Sequence, residues 1–120
     1  MIKPKIIIVD DDKLICELYS EYFAQNGFNV QSAFSASEAL KKIRETDPDI
    51  VLSDIIMPNE DGFSLYEKAQ QFNPDLPFVF ITGYDHDENI ASRLDEIGRK
   101  WIAKPVMLEE LIDLIKSELK

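Results

Sequence analysis

Short apolar runs alternate with amphipathic stretches along this 120-residue chain. Four of the runs are rich in β-branched and aromatic residues and lack polar alternation, which is typical of strands buried on both faces of a sheet. They predict strands at residues 6–9, 50–53, 78–81 and 101–103. A more polar strand is predicted at 29–33.

Apolar residues at helical spacing follow each strand. The first such row is Leu14, Leu18 and Tyr22, with Ile15 and Phe23 beside them, and Ser35 with Glu38 has the spacing of a capping box at the start of the second helix. Three further helices are predicted, at about 63–71, 90–97 and 108–119. Residues that stop helices or form turns separate the helices from the next strands: Asn26-Gly27, Asp47-Pro48, Asn73-Pro74 and Gly98.

Strands that alternate with helices are typical of right-handed crossovers between parallel strands. We therefore predict an α/β fold in which one doubly wound, five-stranded parallel sheet carries helices on both faces. No internal repeat or flexible linker interrupts the chain, so a single domain is expected to span residues 1–120. The order of the strands in the sheet cannot be read from the periodicity.

The chain has a net charge of −10, with 23 acidic and 13 basic residues. Such a surface repels nucleic-acid phosphates and anionic membranes, so direct binding to either is not expected, whereas hard cations are favoured. Cys16 is the single cysteine, which excludes an intrachain disulfide and a cysteine zinc cluster and fits a reducing compartment. The apolar run near the N-terminus is too short for a signal peptide or a membrane span, so a cytoplasmic location is expected.

Polar side chains suited to chemistry follow four of the predicted strands. They are Asp10, Asp11 and Asp12 after the first strand, Asp54 after the third, Thr82 after the fourth and Lys104 after the fifth. Ligands of open α/β sheets bind outside the carboxyl ends of the strands, near the point where the strand order reverses. We therefore expect these side chains to gather at one edge of the sheet.

Such a group of residues suits phosphoryl transfer. Clustered carboxylates repel one another, and a hard dication bound by carboxylates, a backbone carbonyl and water relieves that repulsion. The dication, the Lys104 ammonium and the Thr82 hydroxyl can then neutralise and orient a phosphoryl group, which is most of what phosphoryl transfer requires. An Asp54 carboxylate that attacked phosphorus would form an aspartyl phosphate.

Taken one at a time, these residues also have structural explanations. Asp12 is well placed to cap the first helix, Asp61 before Gly62 is typical of a turn, and Trp101 is typical of a core or an interface. The joint placement of the polar residues at successive strand ends is what favours a functional site.

At these residues the chain resembles the receiver domains of two-component response regulators, which share a flavodoxin-like (βα)5 fold. Each matching motif is weak alone, whereas the ordered set is specific, and the last helix extends the similarity over essentially the whole chain. The motifs, over positions 6 to 105, are Ile8-Val9-Asp10-Asp11-Asp12, Asp54-Ile55-Ile56-Met57-Pro58 with Asp61-Gly62, Ile81-Thr82-Gly83 and Lys104-Pro105.

The resemblance implies that Asp54 is the phosphoacceptor and that the donor is a phosphohistidine on a sensor histidine kinase or a phosphotransfer protein. Asp11, Asp54 and the backbone carbonyl of Ile56 would bind Mg²⁺ or Mn²⁺ directly, and Asp10 would act through water. Such a domain is not a conventional enzyme, although it promotes its own phosphorylation and dephosphorylation.

The resemblance also implies a switch. Lys104 would pair with the phosphoryl group, Thr82 would move toward it, and Trp101 would change rotamer with Thr82. Trp101 replaces the usual Tyr or Phe, and its ring is large for a buried-to-exposed change. Ile56 and Tyr84 stand where polar residues often occur, and we predict that their apolar bulk shields the phosphoryl group and lengthens its lifetime.

The same residues allow two other interpretations of the site. A haloacid-dehalogenase-type phosphatase would use Asp10 of the Asp10-x-Asp12 pair as its nucleophile, although the chain is short for that group. A degenerate receiver would serve only as a protein-interaction module, although the acidic set, Thr82 and Lys104 are all present. His86, amid acidic residues, is interpreted as a solvated loop or helix-start residue rather than a phosphohistidine or a metal ligand.

The expected partners are the phosphodonor and an output domain or target protein. By resemblance, the face formed by the fourth helix, fifth strand and fifth helix would bind partners or dimerise, and it would include Arg93, Arg99, Lys100 and Trp101. No output domain is recognised, and the helical pattern at the end of the chain favours a receiver excised from a longer protein over a stand-alone regulator.

Overall fold

A computed structural model describes residues 2–84 and 86–119. Met1 and Lys120, the ends of the predicted 1–120 domain, and Asp85, the neighbour of His86, lie outside the described residues. No helix in the described ranges combines the length and the apolar composition needed to cross a membrane. Strands alternate with helices as predicted, with these bounds: β1 Lys5–Val9, α1 Lys13–Gln25, β2 Asn29–Ala33, α2 Ala36–Thr46, β3 Ile50–Asp54, α3 Gly62–Phe72, β4 Phe78–Thr82, α4 Glu88–Ile97, β5 Lys100–Ala103 and α5 Leu108–Glu118.

The strands form one parallel sheet in the order β2-β1-β3-β4-β5. This confirms the predicted doubly wound sheet and supplies the strand order that periodicity does not give. The chain passes from β1 outward to β2 and returns past β1 to β3, so the strand order reverses between β1 and β3. The crevice outside the carboxyl ends of these two strands is where ligands bind in sheets of this kind.

Alternating side chains of the strands build a separate core on each face of the sheet. Ile7 and Val9 of β1 pack in the core that includes residues of α2, α3 and α4, whereas Ile6 and Ile8 pack with α1 and α5. Every residue of β3 and β4 is buried, as expected for strands covered on both faces. Asp54 and Thr82, which end these two strands, are therefore held in position by packing on both faces of the sheet.

Aspartates start three of the helices by accepting backbone N–H groups with their side chains. Asp12 caps α1, which confirms the prediction. Asp61 caps α3 by accepting from the Ser64 N–H at 2.8 Å, so the turn predicted at Asp61 is also the start of a helix. Asp87 caps α4. Each cap satisfies N–H groups that the first helical turn leaves without a partner.

Helix α1 lies where the spacing predicts it, but its buried face includes only part of the predicted apolar set. Leu14 and Leu18 are 76% and 48% exposed, whereas Phe23, predicted beside them, is buried together with Cys16 and Tyr19. Two apolar rows, rotated from each other, run along this helix, and only packing against the sheet decides which of them is buried.

Candidate functional site

Three carboxylates meet at the carboxyl ends of β1 and β3. Asp10 directly follows β1, Asp11 comes next, and Asp54 ends β3. One carboxylate oxygen from each lies within 4.8 Å of the others, an arrangement that can hold a metal ion. Asp10 and Asp54 are only 4% and 8% exposed, whereas Asp11 is exposed to solvent. The structure thus brings together three acidic residues that were expected to be neighbours because each follows a predicted strand.

The environment of Asp10 favours its protonated form. Burial is the largest influence and raises the pKa of Asp10 from 3.8 to about 6. The Asp12 N–H donates to Asp10 Oδ1 at 2.9 Å and lowers the pKa, the Asp54 charge raises it, and Lys104 lowers it. Burial makes the charged form of Asp10 costly, and a nearby cation would stabilise that form.

Lys104 follows β5 and reaches across the sheet edge to Asp54. Its Nζ donates to Asp54 Oδ2 at 2.9 Å, and its backbone N–H donates to the Thr82 carbonyl at 2.9 Å. Burial lowers the pKa of the Lys104 ammonium, but the hydrogen bond and the charge of Asp54 outweigh burial, and the pKa is raised. Lys104 is therefore a cation at neutral pH in direct contact with one carboxylate of the cluster. The Lys104-Pro105 peptide bond is cis.

Thr82 borders the site with its hydroxyl turned to its own loop. It ends β4 and is fully buried, one residue beyond Ile81, which pairs with Asp54 across the two strands. Its Oγ1 accepts a hydrogen bond from the Tyr84 backbone N–H at 2.9 Å. This contact uses an acceptor site of the hydroxyl and leaves its hydrogen available to donate to another group.

Gly62 makes a close backbone approach that the sequence did not reveal. A Cβ atom at Gly62 would lie 2.4 Å from the Asp54 carbonyl oxygen and 3.1 Å from Ile55 Cα. The Gly62 N–H donates to the Ile55 carbonyl at 2.8 Å, which ties the start of α3 to the end of β3. The Asp61-Gly62 dipeptide marked a turn and a family motif, but the reason for glycine lies in this contact, which no local pattern encodes.

An open cleft above the carboxylates is lined by Asp11, Asp54, Ile56, Met57, Pro58, Gly83, Tyr84 and Lys104. Ile56 and Tyr84 are exposed, so apolar side chains flank the acidic group. Trp101 is not part of this lining: it lies on β5, where it pairs with Phe80, and is 40% exposed. His86 is an exposed residue of the turn before α4, in agreement with its interpretation as a loop residue.

Comparison with known proteins gives a consistent result. A family model described as the response regulator receiver domain matches residues 6–116. Two mycobacterial proteins are similar over nearly the whole chain, which spans about half of their length. The probable transcriptional regulatory protein TcrX of Mycobacterium tuberculosis is 28% identical over 115 residues, which are 96% of this chain and 49% of TcrX. The response regulator MprA of Mycobacterium sp. strain KMS is 31% identical over 116 residues, which are 97% of this chain and 50% of MprA.

A solved structure extends the similarity to the fold. It is the crystal structure of a CheY-like response regulator receiver domain protein from Methanospirillum hungatei JF-1, which is 31% identical in sequence. The two structures superpose with a TM-score of 0.92 over 98% of this chain and 94% of the other. The sheet, its strand order and the helices that position the carboxylates are therefore those of a known receiver structure.

Proposed function

The chain belongs to the response-regulator receiver family of two-component systems, and from that premise we propose that Asp54 accepts a phosphoryl group from a phosphohistidine on a partner protein. One observation carries the proposal: Lys104 Nζ contacts Asp54 Oδ2 at 2.9 Å inside a group of three carboxylates at the strand-order reversal. The Lys104 ammonium offsets part of the negative charge around the Asp54 carboxylate, an oxygen of which can act as a nucleophile toward phosphorus.

The proposed reaction is an in-line transfer between two nucleophiles. An Asp54 oxygen forms the new P–O bond while the P–N bond to the donor histidine breaks, and the released imidazole nitrogen takes up a proton. Hydrolysis of the aspartyl phosphate by water regenerates the Asp54 carboxylate and inorganic phosphate. Both self-phosphorylation from small phosphodonors and autodephosphorylation belong to this proposal, although the domain does not turn over a substrate as a conventional enzyme does.

The acidic residues fit a hard dication. Asp11, Asp54 and the backbone carbonyl of Ile56 would hold Mg²⁺ or Mn²⁺ directly in this proposal, and Asp10 would act through water. The fit rests on three clustered carboxylate oxygens and on the raised pKa of Asp10, which burial and neighbouring negative charge produce. When bound, the dication supplies the positive charge that lets an anionic phosphoryl group approach the carboxylates.

The neighbouring residues have distinct proposed roles. Lys104 neutralises a phosphoryl oxygen and stays in contact with the modified side chain of Asp54. Thr82 gives up the Tyr84 N–H and turns toward the phosphoryl group, and Trp101 changes rotamer with it. Positioning and charge neutralisation by these groups supply most of what the transfer needs.

The decisive experiment is intact-mass spectrometry after incubation with acetyl phosphate, with and without Mg²⁺. Wild type is expected to gain one phosphoryl adduct that requires Mg²⁺, and Asp54→Asn is expected to lose it. Asp113→Asn, on the exposed surface of α5, is the matched control and should behave as wild type. Absence of an adduct on wild type would favour a degenerate receiver that acts only in protein interaction. An adduct that survives Asp54→Asn and maps to Asp10 would favour a haloacid-dehalogenase-type phosphatase.

The proposed partners are a sensor histidine kinase or phosphotransfer protein and an output domain or target protein. The two mycobacterial relatives are regulators of about twice this length, which supports a link to an output function such as transcription. A cytoplasmic location, which would keep the single free cysteine reduced, completes the proposal and is testable by cell fractionation.

The face formed by α4, β5 and α5 is the proposed partner or dimer surface. Lys100 and Trp101 are exposed there, whereas Arg93 and Arg99, expected on the same face, contact α3 instead. Sedimentation at several concentrations, with and without acetyl phosphate, would reveal phosphorylation-dependent dimerisation.

A further inference from the structure

Helix α4 is anchored by fewer apolar side chains than the helices beside it. Leu94 is its one buried residue, and Ile90 and Ile97 are partly buried against the same core. By comparison, α3 buries Phe63, Leu65 and Ala69 as well as Gly62. A helix with so small a buried surface depends on its polar contacts to hold its position.

Two arginines supply such contacts, and both reach from α4 or the turn after it to α3. Arg93 forms an ion pair with Glu67, and its guanidinium lies 5.5 Å from the Phe63 ring centre. Arg99 Nε donates to Tyr66 Oη at 3.1 Å, and a second Arg99 nitrogen donates to the Pro74 carbonyl at 3.4 Å. Hydrogen bonds, charge and cation–π contact thus fasten α4 to α3 at two points.

The surface of α3 that the two arginines contact is held in place by aromatic packing on the sheet. Tyr66 packs edge-on against Phe78 and Phe80 of β4, with ring centres 5.1 and 5.7 Å apart, and Phe63 lies 5.6 Å from Phe80. The start of α3 is also fixed on β3, through the Gly62 approach to the Asp54 carbonyl. Of the two helices, α3 is anchored by more buried residues, so α4 is the one that we expect to move more easily.

A short series of hydrogen bonds connects α4 to the site. Thr82 Oγ1 accepts from the Tyr84 N–H, the Tyr84 carbonyl accepts from the Asp87 N–H at 3.0 Å, and the Asp87 side chain caps the first turn of α4. If Thr82 turns to a phosphoryl group, the Tyr84 N–H loses its acceptor. Such a rotation would break the first hydrogen bond of the series that links the site to the start of α4.

We propose that Arg93 and Arg99 form a latch that holds α4 on α3 in the unphosphorylated state and thereby opposes activation of the site. A contact made in one of two states favours that state by its own free energy, so the latch lowers the population of the state that accepts the phosphoryl group best. The regulatory part of the proposal, that the latch opposes activation, rests on the proposed function of Asp54. The mechanical part, that the two arginines hold α4 on α3, does not.

The mechanical part is tested by hydrogen–deuterium exchange of the metal-free protein, read by mass spectrometry. Tyr66→Phe keeps the ring but removes the oxygen that Arg99 binds, and Glu67→Gln keeps the shape but removes the charge that Arg93 binds. The double variant should speed exchange in α4 by roughly three- to tenfold, because two partly exposed polar contacts are lost. Exchange in β1 and α1 should not change. Glu45→Gln, which removes an exposed ion pair with Lys41 inside α2, is the matched control and should leave α4 as in wild type.

The regulatory part is tested by calorimetric titration with beryllofluoride, a phosphoryl mimic, at saturating Mg²⁺. The double variant should bind it about three- to tenfold more tightly than wild type, and Glu45→Gln should not differ from wild type. Unchanged exchange in α4 would overturn the latch itself. Faster exchange with unchanged affinity would overturn its opposition to activation. If wild type binds no beryllofluoride, the proposed function of Asp54 fails and the regulatory part with it, while exchange still decides whether the arginines hold α4.

Discussion

Asp10 shows how one buried residue links the stability of the fold to pH. Burial raises its folded-state pKa to about 6, so the folded protein keeps this proton to higher pH than the unfolded chain, whose pKa is near 3.8. The cost of ionising Asp10 is absent below about pH 4, grows as pH rises toward about 6, and stays constant above it. At neutral pH that cost is on the order of 2–3 kcal/mol.

Asp10→Asn should therefore raise the free energy of unfolding of the metal-free protein at pH 7 by an amount of this order, and by little at pH 4. Urea unfolding in EDTA at both pH values measures the difference. Asp113→Asn, on the exposed surface of α5, is the control and should show no comparable gain. Equal effects of Asp10→Asn at the two pH values would contradict the raised pKa.

Gly62 is a residue whose role comes from a neighbour far away in sequence. Gly62→Ala would place a methyl group 2.4 Å from the Asp54 carbonyl oxygen, and both contacted groups are backbone that cannot simply rotate away. We expect a loss of about 1–3 kcal/mol or more in the free energy of unfolding, as for an overpacked core. Gly83→Ala is the matched control, because its Cβ would lie an ordinary 3.9 Å from Lys104. Similar urea midpoints for the two variants would refute the close approach.

Ile56 and Tyr84 place apolar bulk beside the proposed phosphoryl group. Both are exposed and line the cleft above Asp54, where they can hinder the water that hydrolyses an aspartyl phosphate. Ile56→Asn and Tyr84→Glu should shorten the lifetime of the adduct formed with acetyl phosphate, measured as loss of the added mass after the phosphodonor is removed. An unchanged rate in both variants would show that these side chains do not shield the site.

At the scale of elements, the strands were easier to predict than the helix faces. Buried strands carry uninterrupted apolar runs, so β1, β3 and β4 were predicted to within one residue of their observed ends. The buried face of α1 was predicted only in part, since Phe23 is buried whereas Leu14 and Leu18 face solvent. A periodic pattern defines a helix, but the sheet selects which of its rows is covered.

Helix starts depend on single side chains, and α3 offers a test. Asp61 accepts from the Ser64 N–H, and Asp61→Ala would leave that N–H to water and lower the free energy of unfolding by about 1 kcal/mol. Asp61→Asn keeps an oxygen in the capping position and should cost much less. Thermal or urea unfolding of the two variants gives the comparison, and equal losses would mean that the charge of Asp61, not its cap, is what stabilises the fold.

At the scale of the whole molecule, the site exists because of the strand order. Asp10 and Asp54 are 44 positions apart in the sequence and become neighbours because β1 and β3 are adjacent in the sheet. Periodicity predicts the strands and the polar residues at their ends, but not which strands lie side by side. The structure supplies the order of the strands, and it also supplies the arginine contacts between α3 and α4, which follow no motif.

The concentration of negative charge at one edge of an already acidic molecule predicts that a dication stabilises the whole fold. A ligand that binds only the folded state raises the free energy of unfolding by about 2.7 kcal/mol at a concentration one hundred times its dissociation constant. The urea midpoint of wild type should therefore rise with added Mg²⁺. The rise should be lost in Asp11→Asn, whose carboxylate is one of the three in the cluster.

Screening is the competing explanation, because any salt reduces the self-repulsion of a chain with a net charge of −10. Sodium chloride at matched ionic strength measures that general effect, and the response to Mg²⁺ must exceed it. Asp113→Asn removes one negative charge away from the cluster, so it should keep the full response of wild type to Mg²⁺. If Asp11→Asn and Asp113→Asn respond alike, the dication acts on overall charge, and the acidic edge is not a metal site.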